Sequence, residues 1–262
     1  MPVAEVYETV LQIDKTISQS ALYRTLVRFK VNKTPKEKRE KAKEFKEYDP
    51  GFVHIDVTYL PKFDGQKYYL FVAIDRATRL IFYEIYEEKS AQNAETFLQH
   101  CKDFFPFKIN KILTDNGLEF TNRLIKSKKG ELCKKDSLFD LECKKDKENQ
   151  IEHRLTAPST PKTNGMLERA NGTIKSNTIL NINYLDKQEM ENDLMNFLVF
   201  YNLNRRHGSL RKELNVRTPF EALEKWYNLK PKIFCKKPEE IKNYLLNLQR
   251  ENTQKKQQPC EM

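Results

Sequence analysis

The chain has 262 residues and a formal net charge of +10, from 47 basic against 37 acidic side chains. Hydrophobic residues make up 39% and aromatic residues 11%, enough apolar material for a packed core and too much for a wholly disordered chain. The longest apolar run, Tyr68 to Ile74, is seven residues, far short of the roughly 20 a membrane helix needs, and no leader peptide is evident, so membrane and secreted classes are not expected.

The charge is uneven. Residues 1–50 carry a net +3, residues 51–200 none, and residues 201–262 a net +7. A balanced body with basic ends suits an enzyme that works on a polyanion, with acids at the chemistry and bases on the phosphates. Five scattered cysteines (Cys101, Cys133, Cys143, Cys235, Cys260) form no CxxC pair, so neither a disulfide framework nor a zinc ribbon is expected, and a reduced compartment is.

In chain order, residues 4–12 read as a short helix. Ile17 to Ser20 then offers capping hydroxyls before a second helix, Ala21 to Lys30. Leu22, Leu26 and Phe29 are expected inward, with Tyr23, Arg24 and Arg28 outward. The pair resembles part of a helix-turn-helix whose second helix enters a DNA groove. A lysine- and glutamate-rich linker follows to about residue 50.

Phe52 to Leu60 alternates, with Val53, Ile55, Val57 and Tyr59 on one face and His54, Asp56 and Thr58 on the other, which predicts a strand. Asp64-Gly65 predicts a tight hairpin turn. The apolar run Tyr68–Ile74 predicts a strand covered on both faces, and Arg79–Tyr86 a third. A helix is expected from Ser90 to Phe104, with Ala94, Phe97, Leu98 and Cys101 inward. Strands at 108–114 and 152–157 flank a charged, mobile insertion at 127–150 that surrounds a short helix. Helices at 166–180 and 187–203 follow, then a basic helical region at 204–250 and a disordered tail from 251 to 262. This order predicts an α/β fold with a mixed five-stranded sheet flanked by helices, plus a small helical N-terminal segment. The expected division is 1–32, 33–50, 51–203, 204–250 and 251–262.

In this layout Asp56 lies within the first strand and Asp115 at the end of the fourth. If those strands are neighbours, the two carboxylates converge on one rim. Glu168, Asn171 and Lys175 fall at i, i+3 and i+7 on one helical face, so acid, amide and cation are presented together. Divalent metal ions in phosphoryl chemistry take hard oxygen ligands, and three carboxylates from separate elements suffice. Asp75 is expected to cap a strand end and Glu119 to be a loop or supporting residue. His54, His153 and His207 are expected as packed, hydrogen-bonded histidines, His207 alternatively touching phosphate beside Arg205 and Arg206. No serine or cysteine stands in a nucleophile elbow.

Three strings occur in order: His54-Ile55-Asp56-Val57-Thr58-Tyr59, Leu113-Thr114-Asp115-Asn116-Gly117-Leu118-Glu119-Phe120 and Thr163-Asn164-Gly165-Met166-Leu167-Glu168-Arg169. With Ile151–Pro158, Asn204-Arg205-Arg206-His207 and Thr218-Pro219, they closely resemble the DDE transposases of bacterial insertion sequences, whose core is similar to retroviral integrase. The resemblance spans roughly residues 18–226. It implies a ribonuclease-H-like fold in which Asp56, Asp115 and Glu168 bind two Mg²⁺ ions, with Mn²⁺ able to substitute. The implied reaction is hydrolysis at the element's 3′ ends, then attack of those hydroxyls on target DNA. Asn171 and Lys175 fall where that family's helix contacts DNA, and Asn116, Asn164 and Gly165 would border the site. Arg24, Arg28, Arg205 and Arg206 complete the expected DNA-binding set. The implied partners are element ends and target DNA, with a homo-oligomer to synapse them. The implied location is the cytoplasm of a bacterium, at its nucleoid.

Asp115 and Glu168 stand 53 positions apart, wider than in retroviral integrases. The region before the core holds only about one helical unit, so either a shortened copy or a reading frame whose upstream part was lost is expected, with catalysis kept and end recognition impaired. Two rival readings are a catalytically idle DNA-binding remnant acting as a repressor or competitor, and a nuclease of the same fold acting on RNA–DNA hybrids.

Overall fold

The computed structural model describes residues 7, 10, 13, 16–29, 48–125, 132–133, 135–156 and 165–257, the side chains of 253–257 aside. Most of the helix expected at 4–12, most of the 33–50 linker, and Asn164 lie outside these residues. The chain divides into two units, 1–47 and 48–262.

In the first unit, helix α1 (Gln19–Arg28) starts at Ser18, whose side chain accepts the Ala21 N–H at 3.2 Å. This hydroxyl satisfies one of the backbone donors a helix leaves unpaired at its start. Leu22 is buried, and Arg24 and Arg28 are exposed as expected. Phe29 is the exception: it is the C-cap residue, past the last helical turn, and its ring is exposed rather than inward.

The second unit is built on five strands: β1 (Phe52–Tyr59), β2 (Tyr69–Asp75), β3 (Ile81–Tyr86), β4 (Lys111–Thr114) and β5 (Glu152–Leu155). Their order across the sheet is β3-β2-β1-β4-β5. The first three form an antiparallel meander, while β1–β4 and β4–β5 pair parallel. Asp64 (φ 51°) and Gly65 (φ 79°) both take positive φ, and Phe63 bridges Gln66 across them. That is the backbone a two-residue hairpin loop requires. At the other end of the meander Asp75 is fully buried and accepts N–H bonds from Gly51, Ala77 and Thr78 and the Thr78 hydroxyl. It is the strand-end cap its position suggested.

The alternation in β1 sorts the two faces of the sheet. Ile55 pairs across with Ala73, and Ala73 with Phe82, whose ring stacks on Phe97 and Phe104 of helix α2 (Ala91–Phe104). Asp56 pairs with Val72, and Val72 with Tyr83, whose hydroxyl donates to the Leu194 carbonyl in helix α5 (Lys187–Leu203). Helix α4 (Gly165–Asn177) packs over β1 and β2 on this second face. Each fully buried large side chain contributes about 1.5–3 kcal/mol by leaving water, and Phe71, Phe97 and Phe120 are among those that do. Asn202 of α5 finishes the β3 edge, its amide accepting from Ile81 N and donating to Ile81 O, both at 2.9 Å.

Several elements depart from expectation. The fourth strand starts at Lys111, not Lys108, because Phe107 and Lys108 pair with Ile233 and Phe234 instead. In the charged stretch at 127–150, helix α3 (Leu138–Lys144) packs beside α2: Phe139 and Cys143 are buried, and Glu142 takes the Lys102 ammonium at 2.6 Å. A capping box between Ser137 and Asp140 opens that helix. The C-terminal region holds α6 (Gly208–Leu214), α7 (Pro219–Leu229) and α8 (Pro238–Gln257). The last of these runs past Glu251, where a disordered tail was expected, because Asn252 is buried and donates to the Asn192 carbonyl at 2.8 Å.

Candidate active site

The parallel pairing of β1 with β4 decides where the acids fall. Phe52 lies opposite Lys111, Val53 opposite Ile112 and His54 opposite Leu113. Two further steps in the same register bring Asp56 level with Asp115. Asp115 leaves the end of β4 and its Oδ1 accepts the Gly117 N–H at 3.0 Å, so the turn after the strand fixes the carboxylate. Asp56 Oδ1 accepts the Val57 N–H at 2.9 Å, and its Oδ2 accepts from Asn171 Nδ2 at 3.1 Å. The Asn171 bond pins the middle of α4 to Asp56.

Electrostatics record how close the acids stand. Burial, and after it the charge of Asp115, push the Asp56 pKa up to about 6, with Glu119 adding a smaller push. The Val57 N–H and the Lys89 ammonium pull the other way. A carboxylate pushed up by a neighbouring carboxylate lacks positive charge beside it.

The remaining expected residues are spread more widely. Glu168 lies in the first turn of α4, exposed, one turn before Asn171. Among the described residues no three acidic, histidine or cysteine side chains are gathered closely enough to hold a metal ion together. The structure therefore brings Asp56 and Asp115 together and leaves Glu168 at the rim. Asn116 donates to the Thr156 carbonyl at 3.2 Å, which staples the ends of β4 and β5. Gly165 opens α4 with space around it, and Lys175 is half-buried two turns on. Arg205 is half-buried, its guanidinium over the Tyr201 ring and bonded to His207, whereas Arg206 is exposed.

The histidines divide. His153 is packed and bonded as expected, Nδ1 to Asp140 and Nε2 to Thr114, both at 2.8 Å. His54 is packed but not hydrogen-bonded: both ring nitrogens are buried without a partner, and the ring lies against Phe52. Burial, then Arg76 and Arg79, lower its pKa to about 4, so it packs as a neutral ring. His207 follows suit, lowered to about 3 by burial, then Arg205 and Arg79.

Two residues at the acids were underweighted from sequence. Asn171, read as a DNA contact, is buried and bonded to Asp56. Lys89, to which the sequence assigned no role, forms an ion pair with Glu119 at 2.9 Å. The isolated lysine after Glu87-Glu88 was the one signal available for it.

The donor set suits a hard divalent cation. It consists of carboxylate oxygens from adjacent strands, and beside them the buried Oδ1 of Asn171 has no hydrogen-bond partner. Asp56 and Asp115 are the two that could hold such an ion, while Glu168 stands exposed in the first turn of α4.

A mixed five-stranded sheet in this order, with acids off two adjacent parallel strands and a helix pinned across them, is the ribonuclease-H-like architecture of the integrase class. Two family profiles, both described as an integrase core domain, match residues 49–161 and 149–219, so this stretch is an integrase-like core. The chain is 29% identical over 201 residues to the protein named "Putative integrase ORF3" of Spiroplasma virus SpV1-C74. That match covers 74% of this chain and 53% of the viral protein, so the chain spans about half the length of this relative. Among solved structures, a chain of the simian T-cell lymphotropic virus intasome superposes with a TM-score of 0.51 at 18% identity, over 85% of this chain and 74% of that one. The HTLV-2 integrase catalytic core domain in complex with magnesium gives a TM-score of 0.46 at 21% identity, over 68% of this chain and 99% of that one. No helix among the described residues is long and apolar enough to cross a membrane.

Proposed function

We propose that this chain is a DNA strand-transferring enzyme of the transposase and integrase type. It would hydrolyse DNA at the 3′ ends of an element and join the freed hydroxyls to target DNA. The observation that carries this reading is the β1–β4 register, which sets Asp56 level with Asp115 under a helix held by Asn171.

Asp56, Asp115 and Glu168 are the residues assigned to hold two Mg²⁺ ions, with Mn²⁺ as a substitute. Bound there, such ions stabilise charge on a reacting phosphodiester and favour the attacking oxygen in an in-line displacement. The chain's own part is positional. Asn171 and the Val57 N–H orient Asp56, and the Gly117 N–H orients Asp115. Above a pH of about 6 Asp56 is a carboxylate and open to a cation; below it a proton occupies the position. Lys175, Arg206 and, in the first unit, Arg24 and Arg28 are the residues assigned to phosphates, and a homo-oligomer would synapse two ends.

The test is purified protein on supercoiled plasmid with Mn²⁺ or Mg²⁺, alongside Asp56→Asn, Asp115→Asn and Glu168→Gln. Nicking and strand joining are expected in the wild type and are expected to vanish with EDTA and in each variant, while DNA binding persists. A folded protein that binds DNA in a salt-sensitive way and never nicks it would overturn the enzyme reading and leave a DNA-binding protein.

A further inference from the structure

Beside the acid pair, Lys89 stands between β3 and α2, immediately before the Ser90 cap. Its Nζ lies 2.9 Å from Oε1 of Glu119, whose side chain is 4% exposed against 29% for the lysine. A buried carboxylate is strongly unfavourable without a partner, so Glu119 fixes Lys89 as much as Lys89 neutralises Glu119. The Glu119 carboxylate in turn lies against Gly117, where a Cβ would stand 2.4 Å from Oε1. The Gly117 N–H holds Asp115. Lys89, Glu119, Gly117 and Asp115 thus form one continuous line of contacts ending at the acid pair.

The charges along that line are unequal. It carries two carboxylates, Asp115 and Glu119, with Asp56 level with Asp115 on the neighbouring strand, and Lys89 is the basic group on it. Burial draws the Lys89 pKa down, but Glu119, then Asp115 and Tyr59, raise it by more, so the ammonium stays charged.

We propose that Lys89, anchored by Glu119, is a positioning residue that serves as the resident counter-charge of the acid pair. It holds Asp56 and Asp115 together before a divalent cation arrives, and its repulsion loosens the cation's hold afterwards. This rests on the reading of the acids as a cation site, and the experiment separates the two. The full chain is melted across a range of Mn²⁺ concentrations as wild type, Lys89→Met, Lys89→Arg and Asp56→Asn. Lys89→Met is expected to melt lower than wild type without metal. Its half-saturating Mn²⁺ concentration should be about tenfold lower, and the rise in melting temperature on adding metal about 3–5 °C larger. Lys89→Arg should restore wild-type behaviour, which a purely space-filling role for the side chain would not require. Asp56→Asn should abolish the rise. If Lys89→Met does not fold, Lys89→Gln removes the charge while keeping a hydrogen bond to Glu119 and takes its place. Equal Mn²⁺ responses in wild type and the uncharged variant would overturn the proposal and leave the acid site standing. A wild type with no Asp56-dependent response would overturn the cation reading, and the proposal with it.

Discussion

Single side chains around Asp56 and Asp115 act through contacts that can be removed one at a time. Asn171→Ala deletes the donor to Asp56 Oδ2 and leaves that carboxylate free to turn. Groups that orient a metal-binding carboxylate typically change metal affinity or activity about 10–100-fold when lost. We expect a loss in that range, read as a higher Mn²⁺ requirement for nicking while the melting temperature barely moves. Gly117 shows the opposite constraint, too little room. An added methyl group would meet the buried Glu119 carboxylate, which cannot swing away without leaving Lys89. Gly117→Ala should therefore destabilise the chain by about 1–3 kcal/mol in denaturant titration. The same substitution in a Glu119→Ala background should do much less, because the obstruction is gone.

At the scale of elements, α3 and β5 are joined by Asp140. Its carboxylate accepts from His153 Nδ1 at 2.8 Å and pairs with Arg123, and its side chain is 1% exposed. Burial alone would raise the Asp140 pKa, but His153, then Arg123 and Ser137, hold it down at about 2. A carboxylate lowered on folding adds stability above its unfolded pKa and loses it as the pH falls toward the folded value. Asp140→Asn should then lose about 2 kcal/mol near neutral pH, a deficit that shrinks between pH 4 and pH 2 when unfolding is followed against pH.

The same elements show what sequence reasoning could reach. Alternation at 52–60, the Asp64-Gly65 turn and the Ser90 cap are local signals, and the structure follows each of them. The charged composition of 127–150 hid the packing of the short helix expected there, because its apolar pair, Phe139 and Cys143, is sparse and its charges are satisfied by Lys102, Arg123 and His153, from other elements. Asn252 holds the end of α8 through bonds to Asn192 and Asn196 of a helix far earlier in the chain, which no nearby composition announces. At the acids, Asp56, Asp115 and Glu168 could be marked by their motifs, but the buried side of α4 could not: helical spacing put Asn171 beside Glu168 without saying which of the two meets Asp56.

For the whole molecule, net charge and burial together sort the basic residues expected to meet DNA. Arg205 packs on Tyr201 and His207, so Arg205→Ala should act mainly by weakening the fold. Arg206 is exposed beside it. Arg206→Ala should leave the melting temperature unchanged and lower the slope of log binding constant against log salt by about one, as expected for one lost phosphate contact. A salt slope that stays unchanged would remove Arg206 from the interface.

The strand bearing Asp56 also governs which length changes a lineage of such chains can tolerate. Side chains alternate between the two faces of β1, so one residue inserted between Phe52 and Ile55 would turn the acid toward the Phe82 and Phe97 side and away from Asn171. Outside α3 and β5 no such parity applies between Thr121 and Glu152, because added chain there leaves the β1–β4 register alone. Part of the wide gap from Asp115 to Glu168 is thus a harmless kind of inheritance: descendants can lengthen the connections around α3, while the few residues ahead of Asp56 must keep their count.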